Sequence, residues 1–173
     1  QILYALEVPE SGGDTIFVNM YRAYDAPSDS MKALLDELKA IHTGERSYGA
    51  NNSQVTLRQD QFSRSMDVQV KEDAADEVAH PVVRTHPETG RKSLFVSAIS
   101  MQRFEGMTHE ESAPLLEFLT LHARRPEFTS RFRWRANSIA FWDNRCTQHY
   151  ALNDYHGQRR EMHRVTIAGD QPA

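Results

Sequence analysis

Near the end of the chain two arginines, Arg160 and Arg164, stand four positions apart in the stretch Arg160-Glu161-Met162-His163-Arg164-Val165-Thr166-Ile167. On a strand, alternation sends Arg160, Met162, Arg164 and Thr166 to one face and Glu161, His163, Val165 and Ile167 to the other. At about 3.3 Å per residue the two guanidiniums are rooted roughly 13 Å apart, too far to grip one small carboxylate together. The spacing suits two separate anions in neighbouring parts of one cavity. Arginine fits this work because its planar fork binds carboxylate, sulfonate or phosphate through two bonds and keeps its charge. A solvated strand face with alternating charge explains the same pattern. The two residues alone leave both readings open.

Upstream, His149 follows an apolar run, Ile139-Ala140-Phe141-Trp142, at the point where one predicted strand turns into the next. A lone histidine is a weak signal. Cys146, three positions before it, is the single cysteine, so neither a disulfide framework nor a cysteine-rich zinc site can be built within this chain. No activating partner marks Cys146 as a nucleophile either.

The elements that must position these residues are mostly strands. Gln1–Val8 reads as a strand closed by the turn Pro9–Asp14, and Thr15–Val18 as another. Helices are expected from about Met20 to Tyr24 and from Ser28 to Ala40, with Ser28 or Asp29 as N-cap of the second. His80–His86 and Lys92–Ser97 flank Pro87-Glu88-Thr89-Gly90, a hairpin signature. Thr108 with Glu111 forms a capping box for a helix reaching about Arg124, buried through Leu115, Leu116, Leu119 and His122 or Ala123. Four further strands follow, over Phe128–Trp134, Ser138–Trp142, Thr147–Tyr150 and Arg160–Ile167. The fold class expected is mainly β with inserted helices, a sandwich or barrel.

Residues 43–79 are rich in Gly, Asn, Ser, Gln, Arg and Asp, with one strand expected near Met66–Val70; the segment reads as a lid or insertion. With 173 residues the chain fits a single domain, 1–173. The first residues already lie inside a strand, so the sequence is expected to be the later part of a longer protein, its N-terminal part missing. A net charge of −4 argues against a nucleic-acid partner. Mean hydropathy is −0.63, and no apolar run approaches the ~20 residues of a membrane span, so no membrane partner is expected. One cysteine favours a reducing, cytoplasmic compartment.

Trp142-Asp143-Asn144-Arg145, Thr147-Gln148-His149-Tyr150 and Arg160-Glu161-Met162-His163-Arg164 together resemble the C-terminal signature of the taurine dioxygenase-like family. Its members are Fe(II)- and α-ketoglutarate-dependent oxygenases. The likeness extends through His80–Pro87 back to Gly12-Gly13-Asp14-Thr15 and is weakest over 50–79. Phe104–Thr108 and Phe62-Ser63 look most similar to the aryloxyalkanoate branch. The resemblance implies a double-stranded β-helix (jelly-roll) core. It implies His149 as the distal iron ligand of a two-histidine, one-carboxylate triad. Thr15 and Arg160 would hold the distal carboxylate of α-ketoglutarate, and Arg164 the anionic group of the substrate. Tyr48 would stand in the substrate pocket, with Ser100 replacing a second ring found in taurine enzymes.

The implied activity is hydroxylation of a small anionic organic substrate (a sulfonate, alkyl sulfate or aryloxyalkanoate) with O₂, releasing succinate and CO₂. A homo-oligomer is implied as well. One departure stands out: none of the eight histidines has Asp two positions later, as the triad requires. His86-Pro87-Glu88 falls at the hairpin tip, and His109 and Glu111 open a helix, where residues two apart diverge. The alternative is therefore a non-catalytic jelly-roll module that binds an anion or serves in assembly.

Overall fold

The computed structural model of the protein describes residues 1–45 and 72–169. Tyr48, the expected strand near Met66–Val70 and most of the 43–79 segment lie outside these residues. The chain divides into two compact units, Gln1–Pro27 with Arg84–Phe95 and His122–Pro172, and Ser28–Val83 with Val96–Leu121. Among the described residues no helix is long and apolar enough to cross a membrane.

Two three-stranded antiparallel sheets make up most of the first unit. One has β1 (Ile2–Glu7) between β11 (Glu161–Val165) and β9 (Ile139–Phe141). The other has β2 (Thr15–Asn19) between β10 (Thr147–Ala151) and β8 (Thr129–Phe132). The sheets meet through Ala5, Trp134, Ala140 and Trp142, with Leu3, Val8, Phe17, Phe132 and Met162 packed around them. Leu3 and Ala5 of β1, two positions apart, both face this core, the period-2 pattern that alternation predicts.

Short elements complete the unit. α1 (Met20–Asp25) starts at Asn19, whose side chain accepts from the Tyr21 and Arg22 amides. β5 (Val83–Thr85) and β6 (Lys92–Leu94) form the hairpin expected around residues 87–90, closed by the Gly90 amide donating to the His86 carbonyl at 2.9 Å.

The second unit carries a third sheet, β4 (Val78–Pro81), β3 (Lys39–His42) and β7 (Met101–Phe104), and α2 (Asp29–Asp36). Ser28 caps α2 as expected, accepting from the Met31 amide. The helix ends at Asp36 rather than Ala40, because Ala40, Ile41 and His42 are buried as a strand between two neighbours. The expected strand His80–His86 is split at Val82: residues to Pro81 pair with β3, and those from Val83 pair with β6. Pro81 is tolerated because β4 is bonded on one side only. β7 escapes pattern reading because Gln102 and Arg103 separate its two buried residues, Met101 and Phe104. α3 (His109–Ala123) begins with the expected capping box: Thr108 donates from its amide (2.8 Å) and hydroxyl (2.9 Å) to Glu111, whose amide donates back to Oγ1. Leu119, His122 and Ala123 are buried along it and Leu115 and Leu116 half-buried, as its spacing predicts.

Candidate functional site

In the β2–β10 pair, His149 stands opposite Phe17 and Ala151 opposite Thr15. Cross-strand partners share a face, and Phe17 packs on the core, so Thr15, His149 and Ala151 point to the inner side of their sheet. In the β1–β11 pair, Arg164 stands opposite Leu3 and Met162 opposite Ala5. Leu3, Ala5 and Met162 belong to the same core, which puts Arg164 on the inner side of the other sheet. The shared face of Met162 and Arg164 is the one alternation predicts.

His149 as a whole is exposed, yet its imidazole lies 5.0 Å from the Trp142 ring and 6.4 Å from Phe17. Loss of water on that side lowers its pKa, and the positive charge of Arg164 lowers it further. The imidazole is thus neutral at neutral pH, the form that offers a lone pair to a metal. Arg164 is exposed and has no ion-pair partner among the described residues. Arg164 is thus exposed beside His149, and Arg160 is half-buried at a corner of the fold.

That corner is built on two glycines. Gly12 and Gly13 have φ of +86° and +70°, the left-handed region that side chains resist. A Cβ on Gly12 would lie 2.8 Å from the Asp154 carbonyl oxygen, and one on Gly13 would lie 3.1 Å from Cδ of Arg160. The turn is pinned by the Gly13 amide donating to Asp154 Oδ1 at 2.7 Å and by Arg131 Nε donating to buried Asp14 at 2.7 Å. Arg160 then lies against bare backbone, its Nε donating to the Gly13 carbonyl at 3.2 Å. Its guanidinium carbon is 6.0 Å from the ring centres of both Trp134 and Tyr155.

Thr15 is buried beside them, its hydroxyl accepting from Trp134 Nε1 at 3.0 Å. Burial lowers the pKa of Arg160, yet a guanidinium stays charged at any physiological pH. Its Nη2 is buried with no hydrogen-bond partner among the described residues. A charged donor in that state is costly, and an anion placed there removes the cost.

A second cluster gathers around the turn between β9 and β10. Arg145 donates to both oxygens of Asp143 and, at 2.9 Å through each terminal nitrogen, to both oxygens of Glu88. His86, buried, accepts the Glu88 and Thr89 amides on Nδ1, so its proton sits on Nε2 and is donated to Asp143 at 3.1 Å. The Arg145 contacts hold the Asp143 carboxyl well below the usual carboxylate range.

His86, Asp143 and Cys146 lie close enough to be compared with a metal site. The guanidinium already seated on Asp143 and the proton on His86 Nε2 occupy the places a cation would need. The cluster is a hydrogen-bond network. It is also the only cluster of three or more such side chains among the described residues, and His149 is not part of it.

The predicted residues thus fall into two pairs, Thr15 with Arg160 around Trp134, and His149 with Arg164 beside Trp142. Tyr48 lies outside the described residues, and Ser100 is bonded to His42 Nδ1 at 3.1 Å in the second unit. Sequence reasoning named Gly13 only as part of a motif and missed Trp134 and Tyr155, which with it hold Arg160, and the link from His86 to Asp143. Those last two are 57 positions apart, and no spacing rule connects them.

Comparison with known proteins places these observations. Residues 1–166 match the family described as taurine catabolism dioxygenase TauD, TfdA family. The chain is 38% identical over 169 residues to an alkylsulfatase of Acinetobacter baylyi, covering 98% of this chain and 52% of that protein. It is 37% identical over 169 residues to an α-ketoglutarate-dependent 2,4-dichlorophenoxyacetate dioxygenase of Cupriavidus pinatubonensis, covering 98% of this chain and 55% of the relative. The crystal structure of a taurine dioxygenase from Burkholderia xenovorans superposes with a TM-score of 0.78 at 36% identity, covering 99% of this chain and 52% of that one. The chain spans about half the length of the relatives it matches. Its double-stranded β-helix architecture is that of these structural neighbours.

Proposed function

This chain belongs to the TauD/TfdA family of dioxygenases, and from that premise we propose that it is the C-terminal part of an Fe(II)- and α-ketoglutarate-dependent dioxygenase. Its substrate is a small organic anion: a sulfate ester, a sulfonate or an aryloxyalkanoate. The observation that carries this reading is the buried, unpartnered Nη2 of Arg160, whose guanidinium lies near the Trp134 ring that also donates to the buried Thr15 hydroxyl. One carboxylate there accepts from the guanidinium and from the hydroxyl at once, an arrangement suited to the far end of a dicarboxylic keto acid.

His149 contributes a neutral imidazole, a competent ligand for iron and one of the three that a facial triad needs. Iron, when bound, supplies the centre at which the keto acid and O₂ react. The residues here orient the reactants. Arg160 and Thr15 set the angle at which the keto acid reaches the inner side of the sheets. Arg164, on that inner side and exposed next to His149, holds the substrate anion so that one C–H bond is presented to the reacting centre. Trp142 and Phe17 keep water from one face of the imidazole.

Three relatives named for different anions match at 36–38% identity, so identity does not choose among them. What they share is an anionic group, and Arg164 answers to that. The single cysteine supports a reducing, cytoplasmic setting, and the family likeness a homo-oligomer.

The test is succinate release by the whole protein with Fe(II) and α-ketoglutarate across alkyl sulfates, sulfonates and phenoxy acids. Succinate that depends on one of these, and falls sharply in Arg160→Ala, is the expected result. Keto-acid binding with no succinate from any of them would instead indicate the anion-binding module.

A further inference from the structure

His86 is buried and titratable, and the function proposed above does not use it. It sits at the tip of the β5–β6 hairpin, and its partners all lead to one place. Nε2 donates to Asp143 at 3.1 Å, and Asp143 Oδ1 accepts the Arg145 amide at 2.8 Å, which shapes the turn 143–146. Arg145 returns to the hairpin through Glu88, and Ser93 Oγ of β6 donates to the Arg145 carbonyl at 3.4 Å. The hairpin therefore holds the turn through side chains on both of its limbs. Trp142 enters this turn from β9, and His149 leaves it on β10. Their rings meet at 5.0 Å, so any change in the turn is read at that contact.

We infer that His86, acting through Asp143, is a positioning residue for His149: the hairpin tip fixes the β9–β10 turn, and the turn fixes the Trp142 ring against which the imidazole is oriented. The inference rests on the metal-binding role given to His149, and it adds a residue outside that site. Within the network the buried members matter most. Glu88 has 66% of its side chain exposed, so its ion pair with Arg145 is screened by water, whereas His86 has 4% and Asp143 34% exposed, so their bond is screened less. Partners that orient a metal-binding histidine typically change metal affinity by 10–100-fold when removed. His86 acts one step further out, so the low end of that range applies.

Two substitutions separate positioning from mere support of the hairpin. His86→Asn keeps an acceptor where Nδ1 stands, which preserves the Glu88 and Thr89 amide bonds, and loses the donor to Asp143. His86→Gln places a donor near Nε2 and gives up the acceptor. Two readouts apply in the purified protein: the imidazole resonance of His149 by NMR without metal, and the Kd for Mn(II) with α-ketoglutarate present.

Expected for His86→Asn is a His149 resonance displaced from its Trp142-shielded position and a Kd for Mn(II) about 10-fold higher. His86→Gln should restore both most of the way. An unmoved resonance in His86→Asn, or a larger effect of His86→Gln than of His86→Asn, overturns the inference. Should His86→Asn fail to fold, Asp143→Asn, which keeps the acceptor for the Arg145 amide, is expected to displace the resonance in the same way, and an unmoved signal there is equally contrary. His149→Ala tells the two proposals apart: if it leaves Mn(II) binding intact, the metal role of His149 fails, whatever His86 does.

Discussion

Arg145 and Arg160 belong to the same unit and meet their surroundings in opposite ways. Arg145 spreads its guanidinium over Asp143 and Glu88, and those carboxylates hold its proton more firmly than usual. Arg160 lies between Trp134 and Tyr155 with no carboxylate partner among the described residues; burial pulls its pKa down and leaves Nη2 without a bond. The first cation is satisfied by the fold and holds a turn in place. The second is left unsatisfied by the fold, which is how a protein keeps a guanidinium ready for an anion from outside. Pairing marks an arginine as structural here, and the lack of it at a buried atom marks one as functional.

The sharpest way to break that contrast is Arg160→Ala. Removing one member of a buried charge pair costs roughly 2–5 kcal/mol, so KM for α-ketoglutarate should rise by about 30-fold or more in steady-state kinetics. The Tm should hold or rise, because an unpaired buried charge is gone. Arg145→Ala should do the reverse, lowering Tm in a thermal melt while leaving KM for the keto acid near its original value. Equal losses of stability in the two variants would end the distinction.

His42, in the second unit, shows what burial does to a cation that can release its proton. Burial, and then the neighbouring His80, lowers its pKa from 6.5 to about 4. The unfolded chain therefore binds a proton that the folded chain refuses between those values. Stability is intact above about pH 6.5 and is lost as pH falls towards 4, by about 3 kcal/mol for this group alone. His42→Leu should flatten that part of the acid-unfolding curve followed by circular dichroism.

A smaller effect is expected at Gly13. Alanine there carries the left-handed penalty of roughly 1–2 kcal/mol and pushes Cβ towards Arg160. Gly13→Ala should lower Tm and also raise KM for α-ketoglutarate several-fold, whereas Gly90→Ala, with nothing within 4 Å of its Cβ, should lower Tm alone. Glu88→Gln should have the least effect of the series, because its carboxylate is mostly in water. A Tm loss from it as large as that of Arg145→Ala would mean that Glu88, not Asp143, is the partner that counts.

Much of this was legible in the residues. The capping box at Thr108 and Glu111, the N-cap at Ser28 and the hairpin around Gly90 are local contracts between neighbours, and each formed as read. The face shared by Met162 and Arg164 follows from strand alternation alone. Less local features were lost. The helix from Ser28 stopped early because Ala40 and Ile41 were drawn into a sheet by β4 and β7, partners distant in sequence. His86-Pro87-Glu88 read only as a hairpin tip, since nothing nearby in sequence shows that its imidazole reaches Asp143.

The order of residues by itself determined which side chains share a face, where helices begin and which charges the chain carries; these depend on neighbours within a few positions, through fixed backbone geometry. Which arginine is neutralised and which is held open was decided only when distant strands came together. Charge is a property of a residue, but solvation and pairing are properties of its place, and Arg145 and Arg160 differ in nothing else.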